Sequence, residues 1–445
     1  MSFLFFSHCH ACASFLRPSA KAIPSLWLVL AAHGAVAAPP TLTFGEAQQQ
    51  AAARSHQLRA RDHASAASRE MAVAAGQLPD PVLKAGIDNL PVSGADRLSL
   101  GKDFMTMRRI GVSQELTRAD KRHWRSERLE REAAKAEAQK QVILASIQRD
   151  TAIAWLDLYF MQQIAALVAS QAALSRQEIE AAEAAYRGGR GSQADILAAR
   201  SALLALDDRA SEIGGRLRVA QTMLSRWTGT SGDVALAGPP DVGKIRLEAA
   251  TLDLDLAHHP EIGVLNKQED IAQAEVNLAQ ANRRADWSVE IAFQQRGAAY
   301  SNMVSVGISV PLQLDRSKRQ DRELGSRLVM VEQNRAERDE MLRAYLAQAR
   351  AMIAAWQSGR ERMSRYAREL IPLAGARSDA VLAAYRGGKA TLADVLAARR
   401  NEAEAGVQAL QLQMDTARLW AQLNFLFPDT GNAVHRAIDK NGEEK

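Results

Sequence analysis

From Val112 to Arg187 the chain runs for 76 residues without a glycine or a proline. As one helix this stretch would reach about 100 Å, several times the length of an ordinary globular helix. Its pattern, "LEREAAKAEAQKQVILASIQRDTAIAWLDLYF", puts Ala and Leu at three and four spacing with charges between them, so it needs helical partners along its whole length. A lone rod is excluded. A second helix follows from about Ser192 to Trp227, and a connection of only a few residues forces the pair to run antiparallel.

The tip of that hairpin is written twice. "AAYRGGRGSQADILAAR", Ala184 to Arg200, returns as "AAYRGGKATLADVLAAR", Ala383 to Arg399, with twelve of seventeen positions identical and an offset of 199 residues. That period is far longer than a solenoid repeat and points to a duplicated half. At each tip Arg187 or Arg386 places positive charge at a helix C-terminus, where the dipole favours it. Gly188, Gly189, Gly387 and Gly388 allow the left-handed turn that ends the helix. Ser192 and Thr391 are placed to cap the next helix, with Asp195 and Asp394 three residues on as short versions of the capping-box acid.

Between the helices of each half lies a β-hairpin. Trp287, Val289, Ile291 and Phe293 alternate with Ser288, Glu290 and Ala292, and Val304, Val306, Ile308, Val310 and Leu312 alternate with Ser305, Gly307 and Ser309. In the first half Leu83, Ala85 and Ile87 alternate, while Arg108 and Arg109 interrupt the returning strand before Ile110 and Val112. Strands of roughly nine to ten residues with one apolar face match an outer-membrane crossing. A soluble hairpin packed on the helices would also alternate. Four strands cannot close a barrel, for which about eight is the practical minimum, so further copies of the chain must pair the edges.

The expected organisation is an export signal at 1–37 and a first repeat at 38–227, with a hairpin near 82–116 and a tip at 186–195. A Gly- and Pro-rich linker at 228–258 leads to a second repeat at 259–427, with a hairpin near 287–312 and a tip at 385–394, and then a tail at 428–445. In the second repeat a Gly325-containing helix runs to Ile371, where Pro372 interrupts it. The fold class is mainly α with a small β part. The signal consists of Arg17 and Lys21, the apolar "AIPSLWLVLAA" and the A-x-A site at Ala35 to Ala37. That apolar run is too short for a transmembrane anchor. Both cysteines, Cys9 and Cys12, precede the cleavage site, which leaves the mature chain without disulfides, thiolate metal sites or a lipidated cysteine.

Composition excludes several functions. Of 445 residues 47% are hydrophobic but only 5% aromatic, which suits long packed helices rather than a thick globular core. The net charge of +5, spread over 56 bases and 51 acids, gives no basic patch for nucleic acid. No catalytic constellation stands out, and no cofactor is expected. His56, His63, His123, His258, His259 and His435 show no metal-ligand spacing beyond the adjacent pair, and "GRGS" at Gly189 to Ser192 is too short for a phosphate loop. Trp227, Trp356 and Trp420 read as packing.

In the doubled "YRGG...ADxLAAR", in "RIGVSQEL" at Arg109 to Leu116 and "VSVGISVPL" at Val304 to Leu312, and more weakly in "HHPEI", the chain resembles the TolC family of outer-membrane efflux channels, in its cation- or drug-efflux branch. The resemblance covers essentially the whole mature chain. It implies a homotrimer whose four strands per protomer build one twelve-stranded barrel in the outer membrane of a Gram-negative bacterium. The helices would form a coiled-coil tunnel into the periplasm, closed at its end by an iris. It further implies a periplasmic adaptor docked at the tips (Tyr186, Arg187, Gly188 and Gly189; Tyr385, Arg386, Gly387 and Gly388) and a proton-driven inner-membrane pump. Asp394 matches the acid whose ring narrows the iris, and Asp195 and Tyr385 match partners in the network that holds it shut. In TolC itself an arginine follows the tip tyrosine by five residues and a second acid follows the ring aspartate by three. Here those positions are Ala390 and Ala397. Many relatives on the cation branch carry a lipidated N-terminal cysteine, which this mature chain lacks. The alternative is a periplasmic adaptor or coiled-coil scaffold, which would need one helical hairpin rather than two halves each with a β-hairpin.

Overall fold

In the computed structural model of the chain, residues 41–429 other than 190, 231 and 249 are described. The export signal at 1–37 and nearly all of the 428–445 tail lie outside them. The described chain begins with two helices, α1 (Phe44–Arg54) and α2 (His56–Ala75), and the first pair of strands, β1 (Val82–Asp88) and β2 (Met107–Leu116). Two long helices follow, α3 (Ala119–Arg187) and α4 (Gln193–Thr228), then a short α5 (Leu252–Ala257). The second half repeats the order with α6 (Pro260–Asn282), β3 (Trp287–Gln295), β4 (Met303–Ser309), α7 (Gln320–Arg365), α8 (Ile371–Arg386) and α9 (Leu392–Asn424).

The 69 residues of α3 form one unbroken helix, as the absence of Gly and Pro requires. Its counterpart is not interrupted at Pro372. Instead α7 passes through a π-turn at Tyr366–Leu370 and continues as α8, with the Ile371 N–H donating to the Tyr366 carbonyl. The extra residue in that turn accommodates a proline that would otherwise clash with a carbonyl one turn back. One 18-residue window of α3 has a mean hydropathy of 1.4, high enough for a membrane span, yet half of it is buried. Trp155, Leu156 and Leu158 of α3 lie in the main core, so the window is core rather than span.

That core sits where α1, α3, α4 and α9 meet the 228–258 segment. Trp155 is fully buried, stacked on Tyr159 at 5.6 Å and edge-on to Phe44 at 5.7 Å. The linker is packed rather than loose, because its residues satisfy buried groups of the helices. Trp420 Nε1 donates to the Lys244 carbonyl at 2.7 Å, and Trp356 Nε1 to the Val242 carbonyl at 3.2 Å. Leu42 forms a parallel bridge with Leu236. His259 ends this segment as the N-cap of α6, with its Nδ1 accepting from the Glu261 N–H at 3.2 Å and its ring 4.3 Å from that of Tyr345. Burial lowers its pKa to about 4, so it caps the helix as a neutral ring, while the adjacent His258 is exposed.

The four strands form one antiparallel sheet in the order β1-β2-β3-β4, with the outer edges of β1 and β4 unpaired among the described residues. The strand β4 ends at Ser309, so Val310 and Leu312 lie beyond the ladder. Pro311, which has no N–H, stands between them. Helices lead into β1 and out of β2, and likewise for β3 and β4, so the two hairpin loops lie at the end of the sheet away from the helices. Lys121, 5% exposed at its side chain, anchors the other end by pairing with Asp286 at 2.6 Å.

Candidate functional site

Two surfaces carry the chemistry this fold can offer: the sheet and the two helical tips. On the sheet, the cross-strand register sorts side chains by parity. Ile87 pairs with Arg108, Ala85 with Ile110 and Leu83 with Val112, and Ile110 and Val112 in turn pair with Phe293 and Ile291. Phe293 and Ile291 pair with Val304 and Val306. This face is apolar and uncovered, with Leu83, Val304 and Val306 each close to 70% exposed. An apolar face of this extent is not left to water in a folded protein.

The opposite face is polar. Arg109 pairs with Asp88 and Glu290, and Lys84 Nζ reaches Glu290 Oε2 at 2.6 Å. The adjacent arginines of β2 therefore do not interrupt the strand. It runs from Met107 to Leu116 with Arg109 on the polar face and Arg108 on the apolar one. The polar face is also crowded: a Cβ at Gly111 would lie 2.7 Å from that of Ala292. Such small residues let a sheet curl toward that side. Sequence reading missed this ion-pair network, although strict parity applied to Lys84, Arg109 and Glu290 would have found it.

The tips have matching backbones. Ser192 and Thr391 are N-caps of complete capping boxes. Asp195 Oδ2 accepts from Ser192 N and Oγ, both at 2.8 Å, and Asp394 Oδ2 accepts from Thr391 N at 2.9 Å and Oγ1 at 2.7 Å. The backbone and side-chain hydrogen bonds of Ser192 hold the Asp195 carboxyl below its usual value, and those from Thr391, side chain first, do the same for Asp394. Both are therefore anionic at neutral pH. Asp394 is exposed and Asp195 half-buried.

Only one glycine of each pair is left-handed. Gly189 and Gly388 have φ of 69° and 71°, whereas Gly188 and Gly387 sit at −83°. The reason is a Schellman closure, seen whole at the second tip, where the Gly388 N–H donates to Tyr385 O at 2.9 Å and the Lys389 N–H to Ala384 O at 2.8 Å. It requires positive φ at the second glycine alone. A Cβ at Gly387 would meet nothing nearer than 3.5 Å. Gly388→Ala is thus expected to destabilise the tip by about 1 kcal/mol. Gly387→Ala should cost less than half as much. Hydrogen exchange of the amides of Gly388 and Lys389 would check this, and equal protection in the two variants would contradict the assignment.

The tips differ in their side chains. Tyr385 packs on a small apolar cluster in which Leu392 and Val395 of the second tip meet Ala182 of the first, with Ile196 and Leu396 beside them. Tyr186 is 49% exposed, and Arg187 and Arg386 also face outward. The structure thus brings Tyr385 between the two hairpins. Among the described residues, no hydrogen bond or ion pair joins Asp195 to Asp394 or engages either tip arginine's side chain. Just beyond the tips a groove of about 500 Å³ runs between α3, α4 and α9, lined by alanines and larger aliphatic side chains together with Glu178 and Arg399. Burial raises the Glu178 pKa, with the charge of Arg399 acting against it. Among the described residues no group of three or more His, Cys, Asp or Glu comes together as a metal site would need.

No protein-family model and no curated protein matches the chain. Solved structures do. The outer-membrane protein VceC of Vibrio cholerae superimposes with a TM-score of 0.69 at 17% identity, covering 86% of this chain and 95% of that one. The CmeC outer-membrane channel of Campylobacter jejuni gives 0.70 at 11%, covering 90% and 89%, and the transmembrane channel CusC gives 0.73 at 14%, covering 86% and 92%. The chain has the fold of these channels, with two β-hairpins and two long helical hairpins in one protomer.

Proposed function

We propose that this chain is one protomer of the outer-membrane exit duct of a tripartite efflux system. The observation that carries this reading is the sheet: one face largely apolar and uncovered, the other lined by ion pairs, and both edges unpaired among the described residues. Three copies would pair β1 of one with β4 of the next and close a twelve-stranded barrel, with the apolar face toward lipid and Arg109, Lys84 and Glu290 toward the lumen. The chain would sit in the outer membrane of a Gram-negative bacterium, exported by the signal at 1–37, with its helices reaching into the periplasm. The repeats at 38–227 and 259–427 would be two copies of one ancestral half.

The helical tips are the end that meets a periplasmic adaptor, itself held by a proton-driven inner-membrane pump. Exposed Tyr186, Arg187, Gly188 and Gly189, with Arg386, Gly387 and Gly388, form the docking surface, and Tyr385 packs between the hairpins behind it. The cargo would be metal cations or drugs, chosen by the pump. A duct of this kind performs no chemistry on its cargo.

In a trimer every tip acid becomes a ring of three. Asp394 Oδ2 is taken by the cap, but the side chain is exposed, so its carboxylate is free to face the pore. Such a ring favours cations. In planar-bilayer recordings Asp394→Asn is expected to reduce cation over anion permeability severalfold, while Asp195→Asn changes it little. Because both acids occupy the same capping position, a purely structural role predicts equal and small effects. Unchanged selectivity in Asp394→Asn would return that residue to helix capping.

A further inference from the structure

Arg108 is the one cation on the apolar face of the sheet, and the duct does not need it. It faces outward beside Ile87 and Gln295, one row beyond Ile110 and Phe293, at the end of the sheet away from the helices. Among the described residues no acid pairs with it, in contrast to Arg109 beside it, which holds Asp88 and Glu290. An arginine on a lipid-facing row is tolerated only near the interface, where its head can reach the polar layer. That is the level at which the loop 89–106 begins.

The loop itself is unlike one that meets only water. It carries Val92 at 77% exposure, Leu98 at 59% and Phe104 at 57%. Leu98 is held there at a φ of 58°, in the left-handed region that leucine disfavours, with its N–H donated to the Pro91 carbonyl at 2.7 Å. Between these apolar groups stand Arg97 and Lys102, exposed and, like Arg108, without an acidic partner among the described residues. The acid next to Lys102 is engaged elsewhere, with Asp103 Oδ1 accepting the N–H groups of Met105 and Thr106 at 2.7 and 3.2 Å. Unpaired cations interleaved along the loop with exposed apolar groups, with Arg108 two residues beyond the loop's end in β2, suit the boundary between acyl chains and anionic headgroups.

We infer that Arg108, Arg97 and Lys102 form a binding site for the phosphates of an anionic lipid in the leaflet surrounding the hairpin loops, with Leu98 and Phe104 seated among its acyl chains. This rests on the reading of the sheet as membrane-spanning. The three cations would hold phosphate as point charges and forked donors, and the apolar groups would favour phosphates carried on acyl chains over soluble ones.

The test uses the full protein purified in a neutral detergent and titrated with diphosphoryl lipid A or with monophosphoryl lipid A of the same acylation, with bound lipid counted by native mass spectrometry. Wild type should prefer the diphosphoryl form. Arg108→Gln should weaken its binding about fivefold, the loss expected for one cation at a charged surface. Arg284→Gln, at the helical end of the sheet, should leave binding unchanged. Should Arg108→Gln fail to assemble, the double variant Arg97→Gln/Lys102→Gln, which lies outside the strand ladder, should still lose at least tenfold. Equal binding of the two lipids by wild type, or full binding by these variants, would overturn the site while leaving the channel reading intact. Recovery of wild type as a soluble protein without detergent would overturn both.

Discussion

Ile291→Arg is expected to prevent the protein from assembling in the outer membrane. Ile291 lies mid-strand in β3, paired with Val112 and Val306 on the apolar face, and is 56% exposed. At the middle of a bilayer an arginine on a barrel's lipid face costs about 2–4 kcal/mol, and a trimer would carry three. The control is Ser309→Arg, the same charge on the opposite face, where the side chain would point into water and assembly should survive. The contrast is sharp because a water-facing sheet predicts the reverse. At an exposed position in water, Ile291→Arg would change stability by no more than about 0.5 kcal/mol and would improve solubility. Membrane fractionation of the two variants separates these outcomes, and normal assembly of Ile291→Arg would remove the bilayer from the account.

The second large effect is expected at Trp155. Truncation of a fully buried Trp costs about 3–5 kcal/mol through lost contacts and the cavity left behind. Trp155 also ties the chain's first described residues to the core, since it meets Phe44 of α1 edge-on and its Nε1 lies 3.4 Å from the Leu42 carbonyl. Leu42 in turn is bridged to Leu236 of the linker. Trp155→Ala should therefore loosen the 41–54 segment and the linker together while leaving the sheet and tips folded. Cleavage of that segment by a dilute protease should accelerate about a hundredfold or more, since 3 kcal/mol of opening free energy is about two decades in the open population. Trp155→Phe, which keeps the stacking on Tyr159, should show a much smaller increase. A change below about threefold in Trp155→Ala would mean that the strap is held elsewhere.

Much of this architecture was legible in the sequence because its signals are local. Absence of Gly and Pro up to Arg187 leaves α3 unbroken, although the first seven residues of that run belong to β2 and the turn after it. Alternation at Trp287 to Phe293 sets β3 and its faces, and Ser192 with Asp195 sets the start of α4. The misreadings arose where a single residue was weighed without its geometry. Pro372 looks like a helix stop until a π-turn supplies room for it. The paired glycines look equivalent until the Schellman bonds assign positive φ to one of each pair. Arg108 and Arg109 look like an interruption, although adjacent residues of a strand face opposite sides and only one of them lies on the apolar face. The packing of the linker left no local mark because its contacts are long-range: Trp356 and Trp420 hold it from more than a hundred residues away. At the tips, the caps were readable from residue type and spacing, while the separation of Tyr385 from Tyr186 depends on how two hairpins pack and leaves no mark in either copy.

Closure of the barrel by several copies underlies the whole account, because a lone sheet leaves both edges and one apolar face without partners. The most direct test is the protein mass within the detergent complex, measured by light scattering after extraction from outer membranes into mild detergent. Three chains per complex is the predicted result. A single chain, stable and soluble after the detergent is removed, would contradict it.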